Sequence, residues 1–108
     1  MSAVLADKSF VVAGDLNAAR HVDDVYGGKW FRRYFADLEK RGLHDCHWAI
    51  HERERQSFWG HQAKNPYQCD HVFVDLASAQ AVLRCEIVDN ESVRALSDHG
   101  PVRLELKD

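Results

Sequence analysis

Five residues carry most of the chemistry this chain can offer. Asp15 and Asn17 stand two apart directly after Gly14, where the apolar run Phe10-Val11-Val12-Ala13 ends. Asp70 opens a second apolar run, His71-Val72-Phe73-Val74. Asp98 and His99 belong to Ser97-Asp98-His99-Gly100-Pro101-Val102, just before a final alternating stretch. Carboxylates, a carboxamide and an imidazole at strand mouths occupy the places where open sheets hold their ligands. Each also has a plain structural reading. Asp-x-Asn after a glycine is turn chemistry, an Asp can begin a strand, Ser-Asp can cap a turn, and a lone His is more often a surface residue.

A second group is set by spacing. His44, His47 and His51, with Cys46 between them, are separated by three and four residues. On a helix this spacing aligns ligands, and such a cluster suits Zn²⁺. On a strand, His47 and His51 point one way while Cys46, Trp48 and Ile50 point the other, the pattern of half-buried structure. The stretch around Cys46–Ile50 reads as extended, which favours the second reading.

The elements that position these residues follow from periodicity. Phe10–Ala13 has no polar alternation and reads as a central strand, buried on both faces. Residues 1–7 read as the tail of a helix, and Ala18 to Gly28, polar and glycine-bearing, as a loop. Lys29 to Arg41 is helical: Trp30, Tyr34 and Leu38 fall at i, i+4, i+8, with Phe31 and Phe35 beside them and charged residues opposite. That aromatic stripe reads as core, and Gly42 sits where a C-terminal cap belongs. Residues 43–69 are irregular, with a second extended piece around Ser57–Trp59. A strand over 71–75, a helical turn over 76–80, a strand over Val82–Val88, a connection over Glu91–Ala95 and a last strand over Val102–Leu106 complete an α+β chain.

Composition sets the bounds. The chain has 108 residues, 45% apolar and 29% charged, an ordinary soluble composition for one domain or part of one. No low-complexity tract, repeat, signal peptide or membrane-length apolar run stands out. Three cysteines without a CxxC spacing fit a reduced, cytoplasmic setting. A net charge of −3 lacks the basic footprint of a tight non-specific nucleic-acid binder, but leaves phosphate substrates open.

Taken in order, Gly14-Asp15-Leu16-Asn17, Ser57-Phe58-Trp59, Asp70-His71-Val72-Phe73-Val74 and Ser97-Asp98-His99-Gly100-Pro101-Val102 resemble the endonuclease/exonuclease/phosphatase superfamily, whose members share the fold of DNase I and exonuclease III-type enzymes. Joint occurrence in the family's order overturns the plain readings of each motif. The resemblance implies half of a DNase I-like α/β/β/α sandwich, here one mixed β-sheet with a covering amphipathic helix. It implies metal-dependent hydrolysis of phosphate esters. By residue, it implies that Asp15 orients or deprotonates the attacking water and that Asn17 gives its amide hydrogen bond to the phosphate. His99 contacts the phosphate, Asp70 fixes the tautomer of His99 and raises its pKa, and Asp98 is a carboxylate for Mg²⁺ or Mn²⁺. A nuclease-type phosphodiesterase leads, with a small-molecule or lipid-headgroup phosphatase as the enzyme alternative. The expected partners are a phosphate-ester substrate, nucleic acid among them, and no membrane.

The family's domain is about twice this length and is built from two similar halves. The resemblance implies that the whole chain, 1–108, corresponds to the C-terminal half. The first half supplies an Asn and a Glu to the metal site, and Glu52, Glu54 and Glu86 lie in the wrong context to replace them. Cys69 and Ser57 stand where the family has an aliphatic residue and a Thr. Lys64, in the loop His61-Gln62-Ala63-Lys64-Asn65-Pro66, is either a phosphate contact or a solvated loop residue. With one good helix for two apolar strands, an uncovered face is expected, met by the missing N-terminal half or by a second copy in a homo-oligomer. The non-enzyme alternative is a catalytically incomplete segment that works through such a partner.

Overall fold

The computed structural model describes residues 9–59 and 67–107. The helical tail expected over 1–7 and the loop with Lys64 lie outside the described residues. The elements in chain order are β1 (Val11–Asp15), α1 (His21–Tyr26), α2 (Trp30–Lys40), β2 (His44–Asp45), α3 (Cys46–His51), β3 (Asp70–Val74), α4 (Leu76–Ala79), β4 (Val82–Ile87), α5 (Glu91–Leu96) and β5 (Val102–Leu106). The α+β class holds. The expected single mixed sheet is instead two antiparallel sheets, one ordered β1-β3-β2 and the other β4-β5.

The central strand is β3, and its alternation explains both layers. His71 and Phe73 are buried on the face that meets Ala18 and Phe35, with Phe31, Tyr34, Leu38 and Leu43 around them. Val72 and Val74 are buried on the other face with Cys46 and Cys85, flanked by Ala79, Val82, Val102 and Leu104. The β4-β5 sheet therefore covers the face that was expected to be bare. Among the described residues, no helix is long and apolar enough to cross a membrane.

The first strand departs from expectation. The apolar residues of β1 predict a central strand, but it is the edge of its sheet and every one of its residues is exposed, Val11 at 55% and Val12 at 44%. Hydrophobicity reports that a strand is to be covered, not that this segment alone covers it.

The main helix forms over Trp30–Lys40, as expected. Its C-terminus closes in a Schellman motif: Gly42, at φ 92°, donates to the Glu39 carbonyl at 3.0 Å, and Leu43 donates to the Leu38 carbonyl at 3.0 Å. The buried stripe is rotated from the expected one. Phe35 is its centre, while Trp30 is exposed and stacks on Tyr34 at the surface.

Three further helices occupy stretches read as loop or strand. For α1, the Glu54 carboxylate accepts from the Arg20 and His21 main-chain N–H groups at 2.8 Å each. Asp23 then accepts from the N–H groups of Phe31 and Arg32 at 3.1 and 2.9 Å, capping α2. These caps come from distant residues and leave no local trace. Helix α3, expected to be extended, has a local signal: Asp45 is its N-cap and accepts from Trp48 N–H at 3.2 Å. Likewise Asn90 caps α5 through Val93 N–H at 2.9 Å, where a mere connection was expected.

Phe35 joins α2 to β3 and stacks under the Arg20 guanidinium at 4.2 Å. Phe35→Ala is expected to lower unfolding stability by about 3–5 kcal/mol, the usual cost of removing a buried aromatic ring. Urea denaturation of the two proteins measures it.

Candidate active site

The register of two strands makes the site. β1 runs antiparallel to β3, with Asp15 directly opposite Asp70. Like charges facing each other across a strand pair are destabilising, so the arrangement needs a compensating cation. His99 provides it. Its Nδ1 lies 2.9 Å from Asp70 Oδ2, and its Nε2 lies 3.7 Å from Asp15 Oδ2. A carboxylate only accepts, so Nδ1 carries a proton, and a doubly protonated ring can face both acids at once. The Asp70 hydrogen bond raises the His99 pKa above its ordinary 6.5. Partial burial opposes that rise, and the charges of Asp70, Asp15 and Asp98 add to it. The same field reaches Cys69, pushed up to about 11 by burial and then by Asp15, Asp70 and Glu54, so its thiol stays protonated.

His99 is held by a strap that the sequence showed only as an aromatic segment. Phe58 forms an isolated antiparallel bridge with His99, and their rings lie 4.8 Å apart. Trp59 donates twice to the loop, from its main-chain N to the Asp98 carbonyl at 2.8 Å and from its indole N to the Ser97 carbonyl at 2.8 Å. Ser57 is fully buried, and its hydroxyl accepts from the main-chain N–H groups of Cys69 and Asp70 at 2.9 and 3.1 Å. It thereby fixes the first turn into β3. Gly100 N–H closes the strap on the Ser57 carbonyl at 2.7 Å. There is no room for a side chain there: a Cβ on Gly100 would lie 2.5 Å from Trp59 Cη2 and 2.7 Å from the Val88 carbonyl oxygen.

Three of the five sequence candidates, Asp15, Asp70 and His99, gather at this point, with Asn17 and Asp98 next to them in the chain. Asn17 follows β1 in a left-handed conformation (φ 49°), and its N–H donates to Asp15 Oδ1 at 2.8 Å in an Asx-type turn. Its carboxamide has no hydrogen-bond partner among the described residues and is free for a ligand. Asp98 is exposed beside His99; its main chain is held by Trp59, while its carboxylate is unpaired among the described residues. It stands apart from the tight trio of Asp15, Asp70 and His99, whose ligand atoms all lie within 4.8 Å of one another. The carboxylates of Asp15, Asp70 and Asp98 offer the oxygens that a hard divalent cation takes, with water or substrate oxygens filling its shell, while a doubly protonated His99 has no lone pair to add. Glu54, by contrast, is a structural residue. Its buried carboxylate caps α1 and lies 3.6 Å from the Arg20 guanidinium.

The motif order and the geometry prompt comparison with known proteins. No family model matches the sequence, and no curated protein matches it. Among solved structures, the 3′ phosphatase NExo from Neisseria, bound to a product DNA hairpin, matches 92% of this chain with a TM-score of 0.73 and 23% sequence identity. The fold is DNase I-like. The chain spans 45% of the length of that structure, so this DNase I-like segment corresponds to about half of its neighbour.

Two outcomes test the site's construction. Because the folded pKa of His99 is raised, the stability drawn from its pairing is full below about pH 6.5 and fades as pH rises through the raised value. NMR titration of the ring gives that value, and Asp70→Asn is expected to bring it down and to remove the associated slope of stability against pH. Gly100→Ala is expected to cost about 1–3 kcal/mol through overpacking against Trp59 and the Val88 carbonyl, measured by thermal denaturation.

Proposed function

We propose that this DNase I-like segment carries phosphoester-hydrolase chemistry, most specifically that of a nuclease-type phosphodiesterase acting on nucleic acid. The observation that carries the reading is one imidazole set between two facing carboxylates at the mouth of the central strand. The fold shared with a 3′ phosphatase bound to a product DNA hairpin supports it.

In this reading the residues divide the work. Asp15, with one oxygen on the Asn17 N–H and the other toward His99, is placed to orient a water and accept its proton. The free Asn17 carboxamide donates to a non-bridging phosphate oxygen, a contact whose loss costs roughly 3–4 kcal/mol in comparable sites. His99, whose pKa Asp70 raises, offers its Nε2–H to the phosphate, and Asp70 holds the ring in the required orientation. Asp98, the carboxylate left unpaired, would hold Mg²⁺ or Mn²⁺. When bound, the ion neutralises phosphate charge and polarises a coordinated oxygen.

A second reading has its own observation. An apolar cleft of about 460 Å³ opens beside His99, lined by Ala13, Gly14, Val72, Val93, Leu96 and Val102 among others. Together with the bare edge of β1, it favours a site completed by a preceding half of the same domain, or by a second copy of this chain.

One assay separates the two. Mg²⁺-dependent cleavage of a chromogenic phosphodiester is expected, abolished by EDTA and lowered at least about a hundredfold by His99→Ala. Turnover no greater than that of His99→Ala would reject standalone hydrolysis and leave the incomplete segment. Salt-sensitive DNA binding would accompany the nuclease reading and would be absent from a small-molecule phosphatase.

A further inference from the structure

Helix α3 presents two imidazoles that phosphoester chemistry does not use. His47 and His51 are one helical turn apart, with ring centroids separated by 4.3 Å. The stretch is a helix and not the expected strand, so the i and i+4 side chains His47 and His51 share one face, the spacing that aligns metal ligands. His51 Nε2 lies 2.9 Å from the Cys85 carbonyl oxygen. A carbonyl only accepts, so Nε2 carries the proton and Nδ1 keeps its lone pair. Anchoring one ring nitrogen on a main-chain carbonyl is how metal-bound histidines are oriented. His47 is 97% buried by residue area, being 3% exposed, and its Nδ1 has no hydrogen-bond partner. An orphaned buried nitrogen is costly unless something occupies it.

Both rings line a cleft of about 260 Å³ with Arg53, Arg55, Glu86 and Ile87. Glu86 is exposed on β4, lines the same cleft, and its side chain makes no hydrogen bond or ion pair among the described residues; its carboxylate does not sit against both imidazoles and would have to swing in to join them. We infer that His47 and His51 form a transition-metal site for Zn²⁺ or a similar nitrogen-seeking ion, completed by Glu86 and solvent. The two arginines sharpen the choice. Their charge opposes a hard cation held mainly by electrostatics, such as Mg²⁺, while imidazole nitrogens suit Zn²⁺ and Cu²⁺. The site therefore differs in ion preference from the acidic cluster around His99, and the inference stands whether or not that cluster hydrolyses phosphoesters.

The test is a titration of metal-free protein with Zn²⁺, followed by ring-nitrogen NMR and by calorimetry. The His47 and His51 ring resonances are expected to shift together and saturate at one equivalent, in the wild type and in His99→Ala, which removes the imidazole of the acidic cluster. His51→Gln in the His99→Ala background is expected to weaken binding at least about tenfold, and Glu86→Gln to weaken it less. Resonances of His47 and His51 that stay unmoved by Zn²⁺ overturn the proposal, even if His51→Gln fails to fold. Undiminished affinity in a folded His51→Gln protein overturns it as well.

Discussion

The hydrogen bond from His99 Nδ1 to Asp70 Oδ2 is the interaction on which the site depends. Pairing β1 with β3 in the observed register sets Asp15 against Asp70, and two facing carboxylates repel. The ring of His99 lies between them, and the Asp70 hydrogen bond raises its pKa, which favours the protonated form that offsets the repulsion. Holding the ring there requires the loop before β5 to be placed tightly, and this explains the Ser57-Phe58-Trp59 strap. Its donors reach the Ser97 and Asp98 carbonyls, its buried hydroxyl receives the start of β3, and its indole fills the space that a side chain at position 100 would take.

A second constraint lies beneath the first. Arg20 is buried, with its guanidinium 4.2 Å from the ring centres of both Phe35 and Trp48 and its NH1 2.9 Å from Asp45 Oδ2. A charge taken from water is stable only with partners of this quality. Asp45 also caps α3, and Glu54 also caps α1, so one guanidinium ties the exit of β1 to α2, α3 and the segment leading into the strap. The adjacent Ala18 carbonyl lies 2.7 Å from His71 Nε2 inside the core. Asn17 is thus the end of a rigid segment, although its own side chain faces out.

Coverage of the apolar strands is uneven between β3 and β1. The core of β3 is covered on both sides from within the chain, by α2 and by the β4-β5 sheet. Among the described residues, β1 at the sheet edge and the apolar cleft next to His99 stay exposed, as do Tyr26, Trp30 and Leu83 elsewhere. An apolar edge strand of this kind is ordinarily paired or shielded.

The sequence alone determined the parts whose signals are local. Val102–Leu106 alternates and forms β5; the Trp30–Lys40 helix and its Gly42 terminus follow from spacing and a left-handed glycine. The site candidates were legible because Asp15, Asp70 and His99 each sit at a strand mouth, and motif order joined them before any distance was known. Tertiary structure decided the rest. α1 depends on a carboxylate more than thirty residues away, at Glu54. β1 reads as central from its own residues, yet its place in the sheet is set by which strands are available to pair with it. The residues around His47 became a helix although their alternation suited a strand, because the Asp45 cap and the burial of Cys46 and His47 outweigh a period of two over so short a run. Ser57 and Gly100 stand in motifs that the sequence shows, but the contacts they make, to the start of β3 and against Trp59, lie across the fold and are set by tertiary structure.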